Sequence, residues 1–198
     1  MIRLVIFDFG GVVHSLKGGS NLERAAKLYG VTVEELRPEF TGALSKLSTG
    51  EMNEFQFWQT LSKTINRPIP PEWRTFWADP MIEEKAYSEI MELVKELKAR
   101  AVRTVVLSNT IPPHANICRE RGWYKPFDKM YLSYEIGIRK PDRKAYELVL
   151  KDQDVKGAEC VYVDDLEENL IPAGELGMKT ILANNPKQVV DTIKRIMK

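Results

Sequence analysis

Six polar residues of this chain stand where an apolar run ends or a helical pattern begins. In chain order they are Asp8, Ser108, Asn109, Lys140, Asp164 and Asp165. A carboxylate can act as a nucleophile or bind a hard cation, whereas a lysine, a hydroxyl or an amide can bind anionic oxygens. Together these residue types could hold an anion and a metal ion at one site.

The first candidate, Asp8, follows the apolar run Leu4–Phe7 and precedes Gly10 and Gly11. Open α/β folds bind ligands at the carboxyl ends of their strands, which is where Asp8 would lie. The glycines allow the backbone to turn sharply and to approach a ligand closely. Taken alone, the pattern is also that of an ordinary turn in which an aspartate caps backbone amides.

Ser108 and Asn109 end a second apolar run, and Lys140 precedes Pro141 at the start of the helix predicted for residues 142–150. Hydroxyl and amide groups at a strand end can bind anionic oxygens, but they also form ordinary turns and helix caps. Proline is favoured in the first turn of a helix. A lysine at that place either neutralises an anion or is simply solvated.

Asp164 and Asp165 directly follow the apolar run Val161–Val163. Two adjacent carboxylates repel each other when they are buried, and a hard cation such as Mg²⁺ relieves the repulsion by binding their oxygens. The alternative is a solvated acidic turn that caps the next helix. We favour the metal site, because the strand directs the pair to the same edge of the sheet as Asp8.

The elements that must position these residues alternate along most of the chain. Apolar runs of strand length, rich in Val and Ile, cover residues 4–7, 104–107, 130–132, 161–163 and 180–182. Such runs are typical of buried strands. From about residue 85 onward helical patterns separate them, which indicates a parallel sheet with helices on both faces. The sequence therefore predicts an α/β fold with a Rossmann-like parallel-sheet core.

The long stretch after the first strand contains no convincing strand. It contains helical segments at residues 21–29, 33–47 and 53–65. The second of these segments opens with the capping box Thr32-x-x-Glu35. We predict a small helical-bundle cap over residues 16–85, inserted into a core made of residues 1–15 and 86–198.

Aromatic side chains are concentrated in the second half of the insertion. They are Phe55, Phe57, Trp58, Trp73, Phe76 and Trp77. A thin bundle needs bulky side chains to fill its core, so we expect a packing role rather than an aromatic ligand cage. Cationic residues of the cap either reach a substrate or are solvated; they are Lys17, Arg24, Arg37 and Lys46.

In order, the motifs are an aspartate after the first strand, Ser-Asn after a strand, Lys-Pro before a helix, and Asp-Asp-x-x-x-Asn after a strand. This series resembles the four signature motifs of the haloacid dehalogenase superfamily of hydrolases, over essentially the whole chain. The insertion is similar to the small helical cap of that superfamily. The first motif, F-D-x-G-x-V, resembles that of sugar-phosphate phosphatases of the glucose-1-phosphate type.

The resemblance implies a role for each matching residue. Asp8 would be the nucleophile that attacks phosphorus and forms an aspartyl phosphate, which water then hydrolyses. Ser108 and Asn109 would bind the phosphoryl oxygens. Lys140 would act in catalysis and in substrate binding, because it would neutralise charge on both the nucleophile and the phosphate.

The resemblance also implies a Mg²⁺ site. Asp8, the backbone carbonyl of Gly10 and Asp165 would hold the ion, with Asp164 close by and Asn169 in the outer shell. Asp165 is preferred over Asp164 as the direct ligand because its spacing to Asn169 matches the usual pattern of the superfamily. A carboxylate that attacks a phosphate dianion meets like-charge repulsion, so the reaction requires cations around it.

Gly10 departs from the pattern of most phosphatases in the superfamily, which carry a second aspartate at this position as general acid and base. Glycine cannot transfer a proton, and general acid catalysis contributes about 10²- to 10⁴-fold. A leaving group that needs little help, such as an anomeric hydroxyl or an acyl phosphate, would remove the difficulty and favours sugar 1-phosphates. His14 is a candidate substitute acid or base, with an ordinary linker residue as the alternative.

Two other functions stay open. A 2-haloacid dehalogenase also lacks the second aspartate, but its reaction needs no Mg²⁺, and it would be expected to carry a bulky aromatic residue in place of Gly10. The pair Asp164 and Asp165 therefore favours phosphoryl transfer. A non-catalytic phosphate-binding or scaffolding module would explain Gly10, but it has no need of the nucleophile Asp8.

Composition limits the remaining classes. The chain has 198 residues, 43% of them hydrophobic, which suffices for one core and at most a small second domain. A net charge of +1 suggests neither nucleic acid nor a membrane as a partner. We find no signal peptide and no disulfide or zinc motif around Cys118 and Cys160, so a cytoplasmic protein is predicted. A small phosphorylated molecule is the expected partner, and the oligomeric state stays open.

Overall fold

In this computed structural model, which describes residues 1–16 and 19–198, five strands form one parallel sheet in the order β3-β2-β1-β4-β5. The strands are β1 Leu4–Phe7, β2 Arg103–Ser108, β3 Lys129–Leu132, β4 Cys160–Asp164 and β5 Lys179–Leu182. In the register of the central strands, Phe7 lies opposite Val106 on one side and Val163 on the other. The predicted parallel α/β sheet is confirmed.

Helices fill most of the remaining described chain. The α-helices are α1 Asn21–Tyr29, α2 Val33–Ser48, α3 Glu54–Thr64, α4 Ser88–Ala99, α5 Pro112–Glu120, α6 Ser133–Ile136, α7 Arg143–Asp152, α8 Glu167–Glu175 and α9 Pro186–Ile196. Short 3₁₀ turns cover Pro71–Arg74, Asp79–Met81 and Gly157–Glu159. Within the described ranges, none of the helices has the length and apolar character needed to cross a bilayer.

The sheet buries both of its faces. Successive side chains of a strand point to opposite faces, and β1 shows this alternation. Val5 and Phe7 belong to the cluster that α4, α5 and α9 cover, whereas Leu4 and Ile6 belong to the cluster under α7 and α8. Because helices cover both faces, a ligand reaches the polar residues at the strand ends from the carboxyl edge of the sheet.

Helices α1 to α3 form the insert after β1 and have a core of their own. Trp58 and Trp77 are fully buried within it, which confirms the packing role of these aromatic residues. Phe55 departs from that expectation, because it lies on the surface with 47% of its area exposed. The capping box is present: the Thr32 side chain accepts from the Glu35 N–H at 3.2 Å, and the Glu35 carboxylate accepts from the Thr32 N–H at 2.8 Å.

The insert packs against the core around the carboxyl edge of the sheet. Ile111, at the start of α5, packs into the apolar cluster of the insert. On another side, a Cβ at Gly50 would lie 2.4 Å from the Tyr134 carbonyl oxygen, so the two chain segments touch backbone to backbone. The described insert therefore covers the polar strand ends. The division at residues 15/16 and 85/86 stays a prediction.

Candidate active site

Strand pairing brings the first and last motifs together. The Asp8 N–H donates to the Val163 carbonyl at 2.8 Å, which extends the pairing of β1 and β4 by one residue and sets Asp8 beside Asp164. Both side chains are buried, Asp8 with 8% and Asp164 with 0% of its area exposed. Oxygens of Asp8, Asp164 and Asp165 lie within 4.8 Å of one another. The predicted acidic cluster at this sheet edge is therefore present.

Lys140 lies between two of these carboxylates. Its Nζ donates to Asp8 Oδ1 at 2.7 Å and to Asp164 Oδ2 at 2.6 Å, with 2% of the side chain exposed. Burial alone would lower the pKa of Lys140, but the Asp8 and Asp164 carboxylates raise it above its ordinary value. The lysine is therefore protonated and can neutralise negative charge at Asp8.

Asn109 holds the backbone of Lys140. Its Nδ2 donates to the Lys140 carbonyl at 2.8 Å, and its Oδ1 accepts from the Lys140 N–H at 2.8 Å. The amide oxygen and one amide N–H are thus used in positioning Lys140. The contacts of Asn109 with phosphoryl oxygens that the resemblance implies stay a prediction. Ser108, which ends β2, lies with Asn109 on the wall of the cavity described below.

The helix after Lys140 begins later than the sequence predicts. The Lys140–Pro141 peptide bond is cis, and Asp142 is the N-cap of α7, accepting from the Lys144 N–H at 2.9 Å. Pro141 therefore precedes the helix instead of lying in its first turn. The expectation failed because Asp142, a strong N-cap residue, determines where the helix starts.

Asp164 is held by several donors in addition to Lys140. The Leu166 N–H and Asn169 Nδ2 donate to Asp164 Oδ1 at 2.9 and 3.0 Å, and the Tyr162 hydroxyl donates to Oδ2. Burial raises the pKa of Tyr162 well above its ordinary value, so the phenol keeps its proton and acts as a donor. Because Asp164 is saturated in this way, Asp165 is the carboxylate that remains better suited to bind a metal directly.

Gly11 makes room for Asp165. Its φ of +77° is a left-handed conformation, and a Cβ at this position would lie 2.3 Å from Asp165 Oδ2.

Burial raises the pKa of Asp8 to about 6, with Lys140 opposing the shift and Asp164 adding to it. Burial also raises the pKa of Asp165, again with a contribution from the Asp164 charge. Carboxylate oxygens crowded in this way fit a hard cation such as Mg²⁺, which would relieve their repulsion.

A cavity of about 460 Å³ lies between the insert and the core. Gly10, Ser108 and Thr110 line it from the strand-end loops, and Asn21 and Pro80 line it from the insert and its return to the core. The sequence patterns did not single out three further wall residues, which are Glu84, His114 and Tyr124. The cavity exists only where the insert meets the core, so a linear pattern carries little sign of its wall.

The described cationic residues of the cap are not among the residues that line this wall. Arg24 donates from Nη2 to the Phe76 carbonyl at 2.7 Å, which ties α1 to the end of the insert. Arg37 and Lys46 are exposed and lie outside the cavity lining. Lys17 lies outside the described residues. None of the three that the structure describes lines the cavity, although the charge of Arg24 acts on the wall residue His114.

His14, by contrast, lines the cavity. Its Nδ1 lies 2.9 Å from the Ser15 carbonyl oxygen and 3.0 Å from Glu84 Oε2. The side chain is therefore anchored between the strand-end loop and the chain that returns from the insert.

The haloacid dehalogenase-like hydrolase family model matches residues 2–177. The chain belongs to this family. It is therefore a hydrolase, as the order of its motifs had predicted. A curated relative is the D-ribitol-5-phosphate phosphatase of Bacteroides thetaiotaomicron, which is 27% identical over 199 residues that cover 93% of each chain.

Solved structures of the family have the same fold. A predicted haloacid dehalogenase-like hydrolase of Porphyromonas gingivalis superposes with a TM-score of 0.80 at 25% identity, covering 100% of this chain and 98% of that chain. A family enzyme of Bacteroides thetaiotaomicron, in complex with magnesium and inorganic phosphate, superposes with a TM-score of 0.74 at 22% identity, covering 91% and 93%.

Proposed function

We propose that this hydrolase is a Mg²⁺-dependent phosphatase of small phosphorylated metabolites, with Asp8 as the nucleophile. The observation that carries the proposal is the buried contact of Asp8 with Lys140, which sits beside a cluster of two further carboxylates. A nucleophilic carboxylate attacking a neutral carbon needs no such surplus of metal-binding oxygens. The phosphatase name of the Bacteroides relative and the magnesium and phosphate complex of the solved homologue support the same reading.

The proposed reaction has two steps. An Asp8 oxygen attacks phosphorus, the ester P–O bond breaks, and the leaving oxygen takes up a proton from solvent water and departs as an alcohol. Water then attacks the phosphorus of the aspartyl phosphate, the P–O bond to Asp8 breaks, a proton of the attacking water passes to the solvent, and inorganic phosphate leaves. Lys140, fixed by Asn109, stabilises the negative charge on Asp8 and on the transferring group.

The metal would be held by Asp8, Asp165 and the backbone carbonyl of Gly10, with Asp164 and Asn169 supporting them from behind. When bound, Mg²⁺ would supply positive charge against the phosphate oxygens. The fit rests on the donor set, because carboxylate oxygens are crowded within 4.8 Å in a buried site. Ser108, at the end of β2, and the neighbouring Asn109 are the proposed contacts for phosphoryl oxygens.

Because position 10 is a glycine, it has no carboxyl group that could protonate the leaving group. Good leaving groups, such as the anomeric oxygen of a sugar 1-phosphate, need less protonation than a primary alcohol. Sugar 1-phosphates therefore remain proposed substrates, alongside the polyol 5-phosphate that the name of the Bacteroides relative suggests. The small-cap subfamily, the 16–85 cap boundary and a cytoplasmic location also remain proposals.

The test is phosphate release from sugar 1-phosphates, sugar 6-phosphates, ribitol 5-phosphate and acetyl phosphate, with Mg²⁺ and with EDTA. Halide release from 2-haloacids is measured in parallel. We expect Mg²⁺-dependent phosphate release and no halide release. Metal-independent halide release would establish the dehalogenase alternative. Absence of both phosphate and halide release would favour a non-catalytic phosphate-binding module.

Asp8→Asn separates covalent catalysis from phosphate binding alone. We expect it to lower turnover at least about a thousand-fold, because the nucleophile is lost. The matched control is Asp191→Asn, which changes an exposed carboxylate on α9 that forms a surface ion pair with Lys187 and lies outside the site. Retained activity in Asp8→Asn with an intact circular dichroism spectrum would overturn the covalent mechanism.

A further inference from the structure

The chain that returns from the insert to the core forms part of the cavity wall. Within this return segment, residues 80–87, the residues Pro80, Met81 and Glu84 line the cavity. A 3₁₀ turn ends at Met81, and residues 82–87 lie outside the helices and strands of the fold. The position of this wall therefore depends on individual contacts and not on a regular element.

Backbone pairing holds the end of the return segment. The Ser15 N–H donates to the Lys85 carbonyl at 3.1 Å, and the Tyr87 N–H donates to the Val13 carbonyl at 2.8 Å. The Lys85 N–H also donates to Ser15 Oγ at 3.3 Å. These bonds fix residues 85–87 beside the chain that leaves β1, whereas Met81 and Glu84 lie before the paired residues.

Arg121 binds the part of the segment that lines the cavity. It is the C-cap residue of α5, and its Nη1 donates to the Met81 carbonyl at 2.7 Å and to the Glu84 carbonyl at 3.2 Å. A guanidinium forms strong, directional hydrogen bonds because it is charged and planar. Arg121 is itself exposed and is not among the residues that line the cavity. It therefore holds the wall without forming it.

The same arginine also supports His14, another wall residue. The Arg121 Cζ lies 4.9 Å from the centroid of the Trp123 ring, which is the geometry of a cation–π contact. The Trp123 ring in turn packs against the His14 imidazole, with ring centroids 5.1 Å apart and planes 33° apart. Arg121, Trp123 and His14 thus form one packed cluster that ends at the cavity.

We propose that Arg121 is a positioning residue that sets the cavity wall and so determines which leaving groups bind. It holds Met81 and Glu84 by their carbonyls and supports His14 through Trp123. The inference rests on the proposed phosphatase function, which places the phosphate at the strand ends and the leaving group in the cavity. A substrate whose leaving group fills the cavity should depend on Arg121, whereas one with a small leaving group should not.

Hydrogen exchange tests the positioning without requiring turnover. Arg121→Met removes the donors and the charge, and we expect the amides of Glu84, Lys85 and Tyr87 to exchange about ten-fold faster in NMR measurements. The control is Arg100→Met, which removes a hydrogen bond of 2.9 Å from an arginine to the Met197 carbonyl, outside the cavity lining. It should leave the three amides unchanged. Equal exchange at these amides in Arg121→Met and in the wild type would overturn the inference.

Kinetics test the effect on substrate choice. The two substrates are acetyl phosphate and ribitol 5-phosphate, the latter replaced, if it is not hydrolysed, by the sugar phosphate that the wild type hydrolyses fastest. Arg121→Met should lower kcat/KM for the larger substrate about ten-fold or more, mainly through a higher KM. For acetyl phosphate we expect a change below about two-fold. Arg121→Lys, which keeps a charged donor, should recover part of the loss.

Equal losses with both substrates, or no loss with the larger one, would refute the specificity role. Circular dichroism checks that each variant is folded. Trp123→Leu removes the contact with His14 but keeps the bonds of Arg121 to the carbonyls, so it should show a smaller loss in the same direction. The two proposals fail in different ways: absence of phosphate release by the wild type refutes the phosphatase, whereas hydrogen exchange still decides whether Arg121 positions the wall.

Discussion

Gly11→Ala is expected to displace Asp165 and so to weaken the metal site. A Cβ at Gly11 would lie 2.3 Å from Asp165 Oδ2 and 2.8 Å from its Cγ, closer than non-bonded atoms can approach. The carboxylate must therefore move away from its position near Asp8. The substitution also forces alanine into a left-handed conformation, because Gly11 has a φ of +77°.

The strained backbone lowers stability, whereas the displaced Asp165 carboxylate lowers affinity for the metal. The left-handed backbone costs alanine about 1–2 kcal/mol, which lowers Tm by about 2–8 °C in a protein of this length. Gly137 has a φ of +70° with nothing within 4 Å of its Cβ position, so Gly137→Ala carries the backbone cost alone. We expect similar Tm losses in EDTA for both variants. Gly11→Ala alone should need about 10- to 100-fold more Mg²⁺.

The assay is thermal unfolding across a Mg²⁺ titration, with phosphate release at the same metal concentrations. Bound metal raises Tm by mass action, so the titration reports affinity even in an inactive variant. In an Asp165→Ala background, Gly11→Ala should add only the backbone cost, because the clash is gone. If Gly11→Ala and Gly137→Ala respond to Mg²⁺ alike, the placement of Asp165 does not matter for the metal and the reasoning is wrong.

Further predictions concern the buried charges and Gly10. Lys140→Met should lower the free energy of unfolding in urea by about 3–5 kcal/mol, because it leaves buried carboxylates unpaired. The control Lys187→Met, at an exposed ion pair, should change it little. Equal losses of unfolding free energy in the two variants would contradict the buried pairing. Gly10→Asp should raise turnover of substrates with poor leaving groups about ten-fold or more. The nearest described atom to a Cβ at Gly10 is Cδ2 of Leu16, at 3.2 Å, which is the flexible end of a side chain. A drop in phosphate release would argue against a vacant acid position. Burial raises the pKa of Asp8 from 3.8 to about 6, so without metal the folded state loses stability as pH rises through that range. Because Mg²⁺ binds the ionised carboxylate, it should raise Tm more at about pH 7.5 than at about pH 5. A larger rise at the lower pH would refute this prediction.

The sequence predicted which polar residues lie at the carboxyl edge of the sheet, because each of them is next to its own apolar run. Asp8 and Asp164 each terminate or follow an apolar run, and parallel strands bring such ends to one edge. The role of Tyr162 was also readable in principle. It lies two residues before Asp164 on the same strand, so both side chains point to one face.

Other parts of the site depend on contacts between distant segments, which periodicity does not encode. Asn109 and Lys140 are 31 residues apart, and nothing in either motif indicates that the amide binds the lysine backbone. His114 reaches the cavity because the insert docks against α5 through Ile111 and Trp77. The position of that docked insert, and hence the shape of the cavity, follows from tertiary packing alone.

Charge balance would couple metal binding to phosphate binding at this site. Three carboxylates face one lysine, so the ionised cluster carries an excess of negative charge before any ligand arrives. A phosphate dianion entering that cluster would be repelled. Burial is the main cause of the raised pKa of Asp8, and the charge of Asp164 adds to it. In the proposed reaction, a divalent cation held by Asp8 and Asp165 would offset this excess and favour the ionised form of Asp8. Bound metal would therefore favour phosphate binding, because Lys140 is already paired with Asp8 and Asp164.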